Sequence, residues 1–161
     1  FTALQNVQMA LLSAQGKTFN PWLLANAQLR DEAMYLLDQV HLAGYAHHAC
    51  GALAYGDIKR LELAMALANT PRVLLMDEPT AGMAPEERQA LMALVGSLVR
   101  GRGLSVLYTE HSMEVVFGHA DRILVMAEGR LLAEGTPEAV RANPQVQAVY
   151  LGELPPVPES S

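Results

Sequence analysis

Asp77 and Glu78 stand side by side directly after the apolar run Val73-Leu74-Leu75-Met76. Neighbouring side chains on an extended backbone point in opposite directions, so the two carboxylates can divide tasks. One can hold Mg²⁺ as a hard oxygen ligand, directly or through water, while the other orients and deprotonates a water for attack on a phosphoryl group. Acids capping a strand end at the surface have the same sequence, and the pair alone leaves both readings open. A second candidate is the turn Leu53-Ala54-Tyr55-Gly56-Asp57 ahead of a helix predicted over 58–67. Gly56 admits close approach of a ligand to the backbone, and the free N–H groups and positive dipole end of the helix make an anion site. An ordinary glycine turn with Asp57 as N-cap fits as well. The third candidate is His111, in Thr109-Glu110-His111. If the strands ending at Asp77 and Thr109 are parallel neighbours, His111 emerges at the acids' end of the sheet, where its imidazole can donate to a terminal phosphate.

Other tempting residues carry less. His41, His47, His48 and Cys50 lack the short paired spacings of a structural zinc site and are read as a solvated helix end. Met65, Met76, Met83, Met92 and Met126 are read as core and interface filler. Trp22, after Pro21, is read as buried in the helical region. Tyr55 fits loop packing and a subunit interface equally.

The elements that position these residues follow from periodicity. Residues 1 to about 50 are leucine- and alanine-rich and read as helical, with Ala33, Leu36, Leu37 and Val40 spaced to form one apolar face. The inner stripe of the helix over 58–67 is expected at Ile58, Leu61, Met65 and Ala68. Val73–Met76 lacks the alternation of a half-buried strand and predicts coverage on both faces, as in a parallel sheet. A helix over 85–99 is expected to start at Pro85 with Glu86 and Glu87 in its first turn and to end at Gly101 and Gly103. Strands are expected at Leu104–Thr109 and Ile123–Met126, the second turning through Glu128-Gly129 into a hairpin partner, Arg130–Gly135. Short helices from Pro137 and Pro144 and a loose proline-rich tail close the chain. Strand–helix–strand–helix–strand is the grammar of an α/β layer.

Composition sets the outer limits. Of 161 residues, 51% are apolar and 17% charged, which excludes a low-complexity or disordered chain. No apolar run reaches the roughly 18 residues of a membrane span. The net charge of −6 opposes a nucleic-acid phosphate footprint. The single cysteine, Cys50, cannot form an internal disulfide, as suits a reducing cytosol. The chain begins with Phe1 rather than Met, without a signal-peptide pattern.

In order and spacing, the set resembles the ATP-binding subunits of ABC transporters. Leu53, Ala54, Tyr55, Gly56 and Asp57 match the family signature, Leu74 to Glu78 the Walker B strand, Ala81-Gly82-Met83-Ala84-Pro85 the D-loop that meets the other subunit, and His111 the switch histidine of the H-loop. The Leu-Ala-Tyr-Gly form of the signature resembles the branched-chain amino acid uptake group. So do Glu134-Gly135-Thr136-Pro137, Ala142-Asn143-Pro144 and Tyr150-Leu151-Gly152-Glu153.

The resemblance implies an α/β fold, part of a P-loop NTPase domain with a mostly parallel sheet and a helical subdomain at the N-terminus. It divides the chain into a helical subdomain over 1–52, the C-terminal part of the ATPase core over 53–152, and a flexible tail over 153–161. It implies ATP and Mg²⁺ as ligands, with residues 53–57 on the ATP of the facing subunit and Asp77 on Mg²⁺ through water. Glu78 becomes the general base, and His111 holds the γ-phosphate and attacking water. The implied partners are a second ATP-binding subunit and transmembrane permease subunits, not nucleic acid, at the cytoplasmic face of the inner membrane. Two departures stand out: Ala54 replaces the signature serine and Asp57 its glutamine. The chain holds no Gly-x-x-x-x-Gly-Lys-Ser/Thr sequence, so it is expected to be the last two-thirds or so of a nucleotide-binding domain, inactive alone. A soluble ATPase of the same superfamily and a non-catalytic interaction module are the competing readings.

Overall fold

The computed structural model describes residues 1–16 and 27–151, which fall into two compact units divided between Glu110 and His111. Pro21, Trp22 and the expected tail at 153–161 lie outside the described residues.

The first unit opens with α1 (Ala3–Ala14), whose start is fixed by a reciprocal pair. The Thr2 hydroxyl accepts from the Gln5 N–H at 3.2 Å, and Gln5 Oε1 accepts from the Thr2 N–H at 2.9 Å. Next comes α2 (Ala27–Gln39), where Ala33, Leu36 and Leu37 of the expected stripe are buried, as is Val40 just beyond its end. Then α3 (Tyr55–Leu67) packs against both. Its buried side chains are Leu61, Leu63, Ala64 and Leu67, with Ala68 just beyond its end, while Ile58 and Met65 are only half-buried. The expected stripe is therefore corrected. α3 contacts α1, α2 and α4, and its buried positions Leu61, Leu63, Ala64 and Leu67 spread over more of its circumference than a single surface stripe. Each fully buried leucine here contributes about 1.5–3 kcal/mol relative to exposure.

β1 (Val73–Asp77) and β2 (Ser105–Thr109) pair in parallel, with Leu75 opposite Leu107 and Asp77 opposite Thr109. Between them runs α4 (Pro85–Arg102), begun by Pro85 with Glu86 and Glu87 in its first turn. It passes through Gly101 and stops at Gly103, whose φ of 62° is the left-handed cap a side chain resists. The expectation that β1 is covered on both faces is not met. Leu74 is buried in the helical core, but Val73 is 57% and Leu75 72% exposed, and Leu107 beside Leu75 is 59% exposed. Helices cover one face of this strand pair, and among the described residues the other stands open. The apolar run reflects the composition of a parallel-sheet strand, although its outer face is uncovered here.

The second unit contains α5 (Met113–His119), β3 (Ile123–Ala127), β4 (Arg130–Gly135), α6 (Pro137–Arg141) and α7 (Pro144–Val146), the last running on into a wider helical turn over Gln147–Leu151. β3 and β4 form the expected hairpin, antiparallel, with a bulge between Val125 and Met126. β3 was expected as the third strand of the layer, but among the described residues it pairs with β4 alone. Its core is Ile123, Val140 and Val146. Met83 and Met92 are buried, Met65 and Met76 half-buried, and Met126 is 59% exposed. No helix among the described residues is long and apolar enough to cross a membrane.

Candidate functional site

The parallel pairing brings the carboxyl ends of β1 and β2 together, the edge at which open α/β sheets bind ligands. There the Thr109 hydroxyl donates to Asp77 Oδ1 at 2.5 Å. Thr109 Oγ1 and its carbonyl oxygen both accept from the Glu78 N–H at 3.1 Å. Asp77 and Glu78 are both exposed. Asp77 is thus a hard oxygen donor held in orientation by a neighbouring hydroxyl. A single carboxylate of this kind suits Mg²⁺, which keeps several waters and takes its other ligands from phosphate.

Glu78 adopts φ 43°, in the left-handed region that a non-glycine residue occupies at a cost of about 1–2 kcal/mol. Strain of this kind persists where surrounding bonds over-determine it and concentrates at functional sites. Here the over-determination is visible. The Glu78 N–H is tied to Thr109, the Glu78 carbonyl accepts from the Ala81 N–H at 3.1 Å, and the Thr80 carbonyl accepts from the Met83 N–H at 3.2 Å. The left-handed backbone at Glu78 ends the extended geometry of β1 directly after Asp77.

The loop that follows exposes Ala81 and Gly82, the latter at φ 76°, and buries Met83 before Ala84 and Pro85 start α4. Tyr55 and Gly56 lie beside this loop. A methyl group built on Gly82 would stand 3.9 Å from the Tyr55 ring, and one built on Gly56 3.5 Å from the Met83 methyl and 3.7 Å from Glu87 Oε1. Two segments placed separately in the sequence thus share one surface of the first unit. Tyr55 is half exposed, with the Lys59 ammonium 5.6 Å from its ring centre. A hydrogen bond to Glu62 at 3.0 Å holds the Lys59 pKa above its usual value.

α3 begins one turn earlier than the sequence suggests, with Ala54 as N-cap and Asp57 inside the first turn, so the reading of Asp57 as N-cap is replaced. Ala54 offers no side-chain cap, whereas Thr2, Ser112, Thr136 and Asn143 cap α1, α5, α6 and α7. Asp57 Oδ1 lies 3.7 Å from Arg60 Nη1 one turn on, which offsets its charge beside the helix start. Leu53 is half-buried against the helical core. A cleft of about 190 Å³ between α3 and β1 runs from Lys59 and Glu62 to Asp77 and Pro79.

His111 is exposed and opens the second unit, two residues along the chain from Thr109. His41, His47 and His48 are exposed as well, and among the described residues no group of three or more histidine, cysteine or acidic side chains could hold a metal ion. The residue that sequence reasoning missed is Glu110, whose carboxylate accepts both the backbone N–H and the hydroxyl of Thr80.

Two family profiles match the chain: ABC transporter over residues 3–81 and branched-chain amino acid ATP-binding cassette transporter over residues 130–153. The high-affinity branched-chain amino acid transport ATP-binding protein BraF of Pseudomonas aeruginosa is 38% identical over 94% of this chain and 62% of its own. The protein of the same description from Escherichia coli, LivG, is 40% identical over 80% of this chain and 51% of its own. A solved ATP-binding cassette of an ABC transporter in its ADP conformation superposes with a TM-score of 0.77 at 26% identity, over 94% of this chain and 63% of that one. The chain thus spans between about half and 62% of the length of these curated relatives.

Proposed function

This chain belongs to the ABC transporter family, and from that premise we propose that it works as part of an ATP-hydrolysing motor subunit of an importer, with branched-chain amino acids as the transported class. The observation that carries the reading is the end of β1. Asp77 is oriented by Thr109, and Glu78 is turned out of the strand in a strained conformation at the ligand-binding edge of a parallel pair.

In this reading Asp77 would hold Mg²⁺, which would supply charge neutralisation for the phosphates. Glu78 takes a proton from the attacking water, and the backbone bonds that fix its left-handed turn keep the carboxylate aimed without reorganisation. His111 donates to the terminal phosphate. The uncapped start of α3, with Ala54, Tyr55 and Gly56, presents its N–H groups to the ATP of a facing subunit, as a helix N-terminus suits an anion. Leu53 anchors this turn to the helical core, and Arg60 partly neutralises Asp57, which reconciles an acid at this position with a phosphate ligand.

The partners are then a second ATP-binding subunit, meeting the surface shared by Tyr55, Gly56 and the Ala81–Pro85 loop, and membrane permease subunits contacted by the helical region over 1–52. The subunit sits at the cytoplasmic face of the membrane without entering it. The ATPase core runs over 53–152. The match at residues 130–153, together with BraF and LivG as relatives, supports the branched-chain amino acid class. The same relatives weigh against a soluble non-transport ATPase and against a non-catalytic module.

The test is nucleotide-driven closure. A Glu78→Gln cassette containing these residues should dimerise on addition of Mg²⁺ and ATP in sedimentation velocity and return to monomer when ATP is replaced by ADP. A sedimentation coefficient indifferent to ATP would contradict the reading.

A further inference from the structure

Thr80 is 1% exposed, one of two buried polar residues among those described, and both of its donors go to one side chain thirty residues away. Glu110 Oε1 accepts the Thr80 N–H at 3.0 Å and the Thr80 hydroxyl at 2.5 Å. Buried donors left without an acceptor are expensive, so this carboxylate determines whether the turn after the acidic pair keeps its shape. The turn is tied again one residue earlier, where the Glu78 N–H donates to Thr109. Thr109 and Glu110, consecutive at the end of β2, therefore hold Asp77, Glu78 and Thr80 at the end of β1. Downstream, the Thr80 carbonyl accepts from Met83, so the Glu110 anchor reaches into the exposed loop Ala81–Pro85.

We propose that Glu110 is a positioning residue for phosphoryl transfer, fixing the Pro79–Met83 turn so that the Glu78 carboxylate and the Ala81–Pro85 loop keep one geometry through turnover. The inference rests on the ATPase reading above but makes a separate claim about the anchor itself. A carboxylate suits the task because one oxygen serves both Thr80 donors, and bonds to a charged acceptor are about twice as strong as neutral ones. The residue acts through Glu78 and need not touch nucleotide. Its loss should therefore slow the chemical step without weakening ATP binding.

The test uses Glu110→Ala, Glu110→Gln and Thr80→Val, with two readouts. In the assembled cassette dimer, Glu110→Ala should lower kcat for ATP about tenfold or more, with KM moved less than about twofold, because misplacement of a base by a fraction of an ångström has effects of that size. Glu110→Gln, which keeps an acceptor oxygen at the same reach, should retain kcat within about threefold. Thr80→Val should lower kcat less than Glu110→Ala and add nothing to it in the double variant. In this chain, hydrogen exchange at the Thr80 amide should accelerate in Glu110→Ala and stay slow in Glu110→Gln. Wild-type kcat in Glu110→Ala, or unchanged Thr80 protection, would overturn the proposal. A wild-type dimer without ATPase activity would overturn the functional reading, whereas faster exchange at Thr80 in Glu110→Ala would still support the anchor.

Discussion

Asp77 and Thr109 face each other across a parallel strand pair, and the threonine hydroxyl donates to the aspartate while its oxygen accepts from the next backbone N–H, that of Glu78. One side chain on β2 thus orients the proposed magnesium ligand and braces the proposed base. Thr109→Val keeps the shape and removes both side-chain bonds, leaving the Glu78 N–H on the Thr109 carbonyl. In the cassette dimer it should raise the Mg²⁺ concentration for half-maximal ATP turnover about tenfold, the usual size of an effect on a ligand-orienting partner. Thr109→Ser should restore it. A magnesium titration of ATPase rate is the check, and an unchanged midpoint in the valine variant would detach Thr109 from the metal site.

Gly56 separates structural from functional need. A methyl group there meets its neighbours at 3.5 Å or more, ordinary contact, and the position is already inside α3. Alanine is favoured over glycine in a helix by about 0.5–1 kcal/mol. Gly56→Ala should therefore leave the urea midpoint of this chain unchanged or slightly raised. ATP turnover in the dimer should fall at least about tenfold if a phosphate must approach this backbone. Unchanged turnover would count against that approach.

The left-handed Glu78 gives a stability prediction with the opposite sign to its role in activity. Glycine at this position removes about 1–2 kcal/mol of strain and returns about 0.5–1 kcal/mol through the freer unfolded chain, for a net stabilisation of about 0.5–1 kcal/mol. Glu78→Gly should be more stable than wild type in chemical denaturation and should have no hydrolytic turnover. A less stable variant would contradict this expected sign.

Local patterns made much of this legible. The α2 stripe of Ala33, Leu36, Leu37 and Val40 followed from spacing, as did the start of α4 at Pro85 and the β3–β4 hairpin around Glu128-Gly129. The candidates at residues 53–57, 77–78 and 81–85 were proposed from short local strings, and their roles stand as proposals. What stayed hidden depends on contacts far apart in sequence. The α3 stripe was misread because its partners lie on several sides. The open face of Leu75 and Leu107 was misread because an apolar run reports composition and not which elements arrive to cover it. Glu110 gave no signal at all, since its importance comes from Thr80, thirty residues earlier. The strain at Glu78 was equally silent, for glutamate carries none of the glycine or asparagine preference that announces a positive φ.

The central claim, that the carboxylate turned out of β1 draws the proton from the attacking water, is tested most directly by ATP turnover of Glu78→Gln in the assembled cassette dimer. Glutamine keeps size and reach but cannot serve as the base, so the rate should fall by a factor of about 10²–10⁴ with ATP affinity retained. Turnover equal to wild type would contradict the account.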